Sequence, residues 1–533
     1  MSNTGQRADI LVRGGEVIDG TGAPRKRGDV AVRAGRVAAV GELGGWHAEE
    51  MLEAEGLVVV PGFIDMHTHS DLALLLNPRA ESKLRQGVTT EVIGQCGFSP
   101  APAPEGKREA IRAKFGEWGR EVDWSWGSFA EYLEALQACR PSVNVAPVVG
   151  HGIVRAGVLG EDNRRPSASE MAAMKAAVEA GLAEGAIGLS SGLAYVPGMF
   201  ADTDELVELA SVAGAKGGVY FSHIRGEDAR LLKAVGEAIE VGRRARVRVQ
   251  ISHLKAEGRA NWGKVGEALH LIEEARELGI DVGFDAYPYT AWNTSLGQML
   301  PAWAREGGVD AILARLREPV VRARIKDELE EEAEADPGRW ERRLLASVET
   351  EANRPLQGMT IAEIAKRRGA APADTVIDLL IEERYDADMV GFGMAEEDVR
   401  QVLAHRLATI GSDSASCAPY GILGKGHPHP RTYGTFARVL GHYAREEKLF
   451  SLEEAVAKMT SRAAVRLGLK DRGKISVGYA ADIVVFDPDT VADTATYEKP
   501  HQYAAGVRCV IVNGVIELDG EEHKGNGTGV VLR

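Results

Sequence analysis

VVVPGFIDMHTH (58–69) is an apolar run that ends in two histidines two positions apart. β-Branched and aromatic residues bounded by Pro and Gly read as a buried strand. Side chains two apart in a strand share a face, so His67 and His69 are expected side by side. Seven further runs have the same texture: TTEVIGQC (89–96), NVAPVVGH (144–151), AIGLSSG (186–192), VYFSHI (219–224), VRVQISHL (247–254), DVGFDAYPY (281–289) and ATIGSD (408–413). Most are separated by stretches of helical period, such as ASEMAAMKAAVEAGLAEG and DELVELASVAGAKG. Strands alternating with amphipathic helices make a parallel α/β fold, and eight such units close into a TIM-like (β/α)8 barrel. A doubly wound open sheet is the competing arrangement, and the count of eight favours the barrel.

Outward from these runs the texture changes. ADILVRGGEVIDGTG and GDVAVRAGRVAAVG near the start, and ADIVVFDPD, GVRCVIVNGVIELDG and TGVVLR near the end, read as short strands joined by turns. Neither end has enough strands for a core of its own. The expected division is a small β-sandwich domain formed by both termini (1–60 with 472–533) around a barrel (61–471). A Glu/Arg-rich helical insertion (294–388) separates the seventh and eighth runs. Its length suits either a lid over the barrel mouth or a peripheral decoration.

The polar residues at the strand ends carry the chemistry. His67 and His69 close the first run, Cys96 the second, His151 the third, His223 the fifth, His253 the sixth and Asp413 the eighth. In a barrel these ends converge on one face. Imidazole, thiolate and carboxylate are the ligand set of zinc. A lone histidine is more often structural, but with His151 set aside as a non-ligand, six candidate ligands on five strands point to a metal site. The chain has no H-E-x-x-H and no H-x-E followed by P-C-x-x-C, which removes the metalloprotease and zinc deaminase signatures. GLSSG (188–192) matches the G-x-S-x-G serine nucleophile elbow around Ser190. That motif needs a helix directly after the serine, and here a Pro/Gly loop follows.

Bulk composition sets the limits. Of 533 residues, 63 Lys+Arg against 78 Asp+Glu leave a formal charge of −15, which argues against nucleic acid or an anionic membrane as partner. Many of the surplus carboxylates fall in 327–351. Hydrophobic residues make up 44%, an ordinary globular share that excludes collagen, coiled coil and bulk disorder. Four dispersed cysteines form no C-x-x-C pair, which fits a reducing, cytoplasmic setting. The N-terminus does not read as a signal peptide, and no run of about 18 apolar residues marks a membrane helix.

These residues also carry a resemblance. PGFIDMHTHSD (61–71) is similar to the first-strand signature of the amidohydrolase superfamily, and DRGKISVGYAADIVVFDPD (471–489) to its return into a terminal β domain. VIGQCGFSPAP (92–102), VGHGIVR (149–155), SSGLAYVPG (190–198), FSHIRGE (221–227), ISHLKAEG (251–258), IGSDSAS (410–416) and HPRTYGTFARVLG (429–441) resemble, in order, the N-acyl-D-amino-acid deacylases. The resemblance implies that Cys96, His223 and His253 hold one zinc ion tightly. It implies that His67, His69 and Asp413 complete a second, weaker site. It makes Asp413 the catalytic aspartate, and Lys255, Arg431, Tyr195 and Tyr287 the groups that bind an anionic N-acyl amino acid.

The chemistry expected of such a site is hydrolysis. Zinc brings the pKa of a bound water to roughly 7 and polarises an amide carbonyl. A general base near that water then returns the proton to the departing amine. Asp413 could otherwise cap a helix from within GSDSAS. One departure stands out: Ser414 follows the aspartate, and ASCAPYGILGKGHPHP continues with an extra cysteine and added glycines. This loop bears on substrate range. A cyclic-amide hydrolase of the hydantoinase or dihydroorotase kind is the alternative within the superfamily, although such enzymes usually carry a carboxylated lysine where Cys96 stands. A catalytically silent binding barrel and a serine hydrolase are the alternatives outside it. A homo-oligomer is compatible with the sequence.

Overall fold

The computed structural model describes residues 6–533. Eight strands form where the eight runs lie, the first run (58–69) splitting so that Val58–Pro61 joins the terminal sheet and only its later part enters the barrel: β1 (Phe63–Asp65), β2 (Val88–Ile93), β3 (Asn144–Pro147, resuming at Val149–Gly150), β4 (Gly188–Gly192), β5 (Val219–His223), β6 (Arg248–Ile251), β7 (Val282–Ala286) and β8 (Ala408–Ile410). Neighbours pair in parallel from β1 to β3 and from β3 to β8. Backbone bonds from Met66 N to Ile410 O (3.1 Å) and from Asp413 N to His67 O (2.8 Å) join the last strand to the first. The sheet is a closed barrel.

The outer helices form for reasons visible in their sequences. Ser167 and Glu170 make a capping box at the start of Ala168–Ala183, and Asp202 caps Thr203–Ala215 by accepting from Glu205 N. Along Leu231–Ala245 the buried residues are Leu231, Ala234, Val235, Ala238, Val241, Gly242 and Ala245, a stripe of helical period against the barrel wall.

Both termini build one nine-stranded sheet. Its seam is the antiparallel pair Val58–Pro61 with Ile483–Phe486, in which Val60 faces Val484. Alternation decides which side each residue serves. Val59, Ile483 and Val485 join Ile10, Val12, Val32 and Ile511 in a core private to this sheet, whereas Val58, Val60 and Val484 enter the core shared with the barrel.

Two expectations need correction. The segment 294–388 is not purely helical. Its four longer helices (Gly308–Arg317, Pro319–Ala335, Ile361–Arg368 and Pro372–Glu382) accompany a three-stranded antiparallel sheet of Ala291–Ser295, Arg343–Val348 and Ala387–Phe392. RLLASV and ADMVGF are short apolar runs buried against these helices, and the surrounding charge hid them. TGVVLR also leaves the terminal sheet: Val145 N donates to Val530 O (2.9 Å) and Leu532 N to Val145 O (2.8 Å), so the chain end pairs with β3. No helix among the described residues is long and apolar enough to cross a membrane.

Candidate metal centre

The C-terminal ends of the barrel strands bring six donors to one place. Hydrogen-bonded strand β1 stops at Asp65, but the chain runs on with Thr68 bridged to Ser414, and His67 and His69 both reach Asp413. Cys96 follows β2 in a turn where Gly94, Cys96 and Gly97 have φ of 81°, 54° and 77°. Gly94 is required there, because a Cβ would lie 2.1 Å from Val148 O. His253 and Asp413 also hold positive φ, 37° and 50°. Three of the six donors thus sit in a left-handed conformation that L side chains rarely adopt.

Cys96 is the hub. Its Sγ lies 3.3 Å from His67 Nε2, 3.7 Å from His223 Nδ1 and 3.8 Å from His253 Nε2. Asp413 Oδ1 lies 3.4 Å from His67 Nε2 and 3.1 Å from His69 Nε2. Two overlapping sets result, Cys96 with His223 and His253, and His67, His69 and Asp413 with Cys96; within each, the donor atoms lie within 4.8 Å of one another.

Burial decides the protonation. It holds the His67 imidazole well below its usual range against the pull of Asp413, and it brings His223 down to about 3, helped by His253. Burial and then the Asp413 carboxylate push the Cys96 thiol well up. Burial would also raise Asp413, but Arg431, His253 and the bond from His69 outweigh it and hold the carboxyl well below the usual carboxylate range. The centre therefore presents the neutral imidazoles of His67 and His223, a thiol and an anion around one space, and buried His67 Nδ1 lacks a hydrogen-bond partner. Lone pairs that face one another repel, and a divalent cation reverses that repulsion. The donor set fits zinc.

The residues expected to bind substrate lie close by, but with partners of their own. Lys255 Nζ sits 2.6 Å from Glu227 Oε1 and donates to His253 O (2.9 Å). Arg431 Nη1 pairs with Asp413 Oδ2 at 2.9 Å, out of line for a hydrogen bond. Both cations lie over the Tyr287 ring, 5.6 Å and 4.7 Å from its centre, and the buried Tyr287 hydroxyl has no partner. Tyr195 packs on His223 with ring centres 4.8 Å apart, its hydroxyl 3.1 Å from Thr294 Oγ1. His151 is elsewhere, bound to Glu205 (2.8 Å). Ser190 is a buried strand residue that accepts from Gly97 N (3.0 Å) and donates to Gly94 O, and no helix starts behind it.

Sequence reasoning missed the supporting carboxylates. Glu227 Oε1 lies 2.9 Å from His253 Nδ1, so the tautomer that frees Nε2 toward Cys96 donates to Glu227. Burial opposes its charge, but Lys255 and His253 keep it ionised. Asp285, pushed up to about 6 by burial, accepts from His253 N (2.8 Å). Asp65 takes His67 N, Ser412 N and the fully buried Lys83 (3.0 Å). Glu227 stood within FSHIRGE, and its place in a loop after a ligand strand was the only available signal.

Residues 50–516 match the model of the amidohydrolase family. The chain is 39% identical over 527 residues to a D-aminoacylase of Alcaligenes xylosoxydans xylosoxydans, covering 99% of this chain and 98% of the relative. A solved D-aminoacylase with a binuclear metal centre superposes with a TM-score of 0.82 at 39% identity, covering 99% of this chain and all of the other. An N-acyl-D-glutamate deacylase from Bordetella bronchiseptica, solved with zinc and a phosphonate that mimics the tetrahedral intermediate, superposes with a TM-score of 0.84 at 36% identity and the same coverage.

Proposed function

The chain belongs to the amidohydrolase family, and from that premise we propose that it hydrolyses the amide bond of N-acyl-D-amino acids, releasing a carboxylate and a D-amino acid. The observation that carries the reading is the meeting of Cys96, His223 and His253 beside Asp413. Those three residues would hold one zinc ion tightly, and His67, His69 and Asp413, with Cys96 in reach, would offer a second, weaker position. When bound, zinc acidifies a water molecule and polarises the amide carbonyl.

The chain's own residues supply the remaining steps. Asp413, ionised in the bare site, takes a proton from the attacking water. It then delivers that proton to the amide nitrogen as the carbon–nitrogen bond breaks, because an unprotonated amine anion is too poor a leaving group. Glu227 keeps His253 turned toward Cys96. The substrate carboxylate binds at Lys255, Arg431 and the free Tyr287 hydroxyl. Its arrival exchanges Asp413 for the substrate at Arg431, so carboxylate binding and release of the base are coupled. Arg suits this exchange because its planar fork grips a carboxylate with two parallel bonds. The four cysteines are all free, which supports a reducing, cytoplasmic setting.

Chelation followed by zinc titration tests the proposal, with hydrolysis of N-acetyl-D- and N-acetyl-L-amino acids and bound metal followed on one sample. Activity on the D series should vanish with the metal and return near one zinc per chain. Hydrolysis that survives chelation, or an equal rate on L isomers, sinks it. A hydantoin and a dihydropyrimidine in the same panel separate out the cyclic-amide alternative.

A further inference from the structure

Two cavities meet at the metal centre, and Tyr195, Thr294 and Asp413 line both. The smaller, about 390 Å³, has Phe98, Trp118, Leu423 and Cys417 in its wall. It suits the acyl half of a substrate. The larger, about 930 Å³, opens beside His223, His253 and Lys255 and extends past Met199 and Gln298 to Arg305. Of the two cations that take the α-carboxylate in the deacylase reading, Lys255 lines this cavity and Arg431 the smaller one, so the α-carboxylate sits where the two meet and the larger cavity is left for the side chain.

The larger cavity is rich in charge, and almost all of it is matched. Arg225, Arg230, Lys255, Arg339 and Arg343 each form a salt bridge of 2.6–3.1 Å with a glutamate or aspartate. Arg259 is exposed, 6.0 Å over the Trp262 ring. Arg305 differs from all of these. It is half-buried, and its Nη1 donates only to neutral acceptors, Ala194 O (3.0 Å) and Gln298 Oε1. Its Nε is buried without a partner, and among the described residues no carboxylate lies within salt-bridge distance of it. Burial pulls the guanidinium down from its usual range and Arg230 adds to that, against Tyr385, Tyr195 and Glu332. A guanidinium withdrawn from water and left without a counter-ion is unfavourable, and an anion entering the cavity relieves it.

We propose that Arg305 is a specificity residue that receives the side-chain carboxylate of the substrate, so that the chain prefers N-acyl derivatives of acidic D-amino acids. The inference rests on the deacylase reading for the direction of the substrate and adds the class of side chain. The contact to Ala194 O places the guanidinium next to Tyr195, one side chain removed from the metal ligands.

The test compares kcat/KM for N-acetyl-D-glutamate and N-acetyl-D-aspartate with that for N-acetyl-D-leucine, in the zinc-loaded enzyme and in the Arg305→Gln and Arg305→Lys variants. The wild type should favour the acidic substrates. The acidic-to-neutral ratio should fall roughly 10- to 100-fold in Arg305→Gln, the span of one charge-assisted hydrogen bond, and recover in part in Arg305→Lys. A wild-type preference for the leucine derivative, or an equal loss on both substrates in Arg305→Gln, overturns the assignment while leaving the deacylase reading intact. Failure to hydrolyse any N-acyl-D-amino acid overturns both.

Discussion

Cys96, His253 and Asp413 occupy the left-handed region, which only glycine enters freely, at a cost on the order of 1 kcal/mol that is greatest for Cys96, since Asp and His tolerate it better. The surrounding bonds hold them there: Asp285 receives His253 N, and His67 O receives Asp413 N. Such positions persist where geometry matters more than local comfort. Asp413→Asn keeps the shape but removes the base proposed above, so kcat should fall about 10²- to 10⁴-fold. Steady-state rates, measured with the zinc content of the variant, check this. Glu227→Gln should lower zinc affinity roughly 10- to 100-fold, because the amide can present its NH2 to His253 Nδ1 and release the tautomer. Competition with a chelator of known affinity reads that change. His67 and His69 were legible as a pair from strand alternation alone. Glu227 was not, since its partner lies 26 residues away and only the folded chain faces one toward the other.

At the scale of elements, the turn after β2 decides whether Cys96 points into the barrel. Gly94→Ala brings a Cβ against the Val148 carbonyl, which is backbone and cannot yield. The substitution should cost roughly 3 kcal/mol or more, seen as a lowered midpoint in thermal or urea denaturation. The loop after Asp413 is tied down despite its unusual sequence. Ser414 Oγ accepts from Lys83 Nζ (2.9 Å), Ser416 Oγ donates to Glu91 Oε1 (2.5 Å) and Cys417 N donates to Ser82 Oγ (2.9 Å). Ser414 and Ser416 thus answer polar groups buried beneath them. That match was invisible in the sequence, because Lys83 and Glu91 lie 331 and 325 residues away from these serines. The eight strands, in contrast, were legible, since fully buried parallel strands are near-continuous apolar runs. The three strands within 291–392 were not, because each is brief and set among charged helices.

For the molecule as a whole, the acidic surplus bears on stability through a few buried carboxylates. Glu81, in the short helix Glu81–Leu84, ties the barrel to two distant loops: Tyr420 and Tyr503 donate to it at 2.5 and 2.6 Å, and Arg79 Nε at 3.0 Å. Burial opposes its charge, but these donors and Arg85 bring its carboxyl down to about 2. A depressed carboxyl stabilises the fold fully above its unfolded value near 4.5, and that contribution is lost as pH falls from about 4.5 through about 2. Glu81→Gln should therefore lower the denaturation midpoint at pH 7, and the gap to the wild type should narrow as pH approaches 2 in a series of urea titrations.

Local pattern along the chain was enough for the barrel, for the union of both termini in one β domain, and for bringing forward His67, His69, Cys96, His223, His253 and Asp413 as candidate donors. Each of these is written in local pattern: runs of buried strand, alternation, and a polar residue where an apolar run stops. Only the tertiary structure decided which residues answer one another. It set Glu227 behind His253, paired Arg431 with Asp413 and left Arg305 alone among matched charges. Coulombic and hydrogen-bonded partnership falls off within a few ångströms, and which side chains come that close is fixed by the closing of the barrel rather than by their order along the chain.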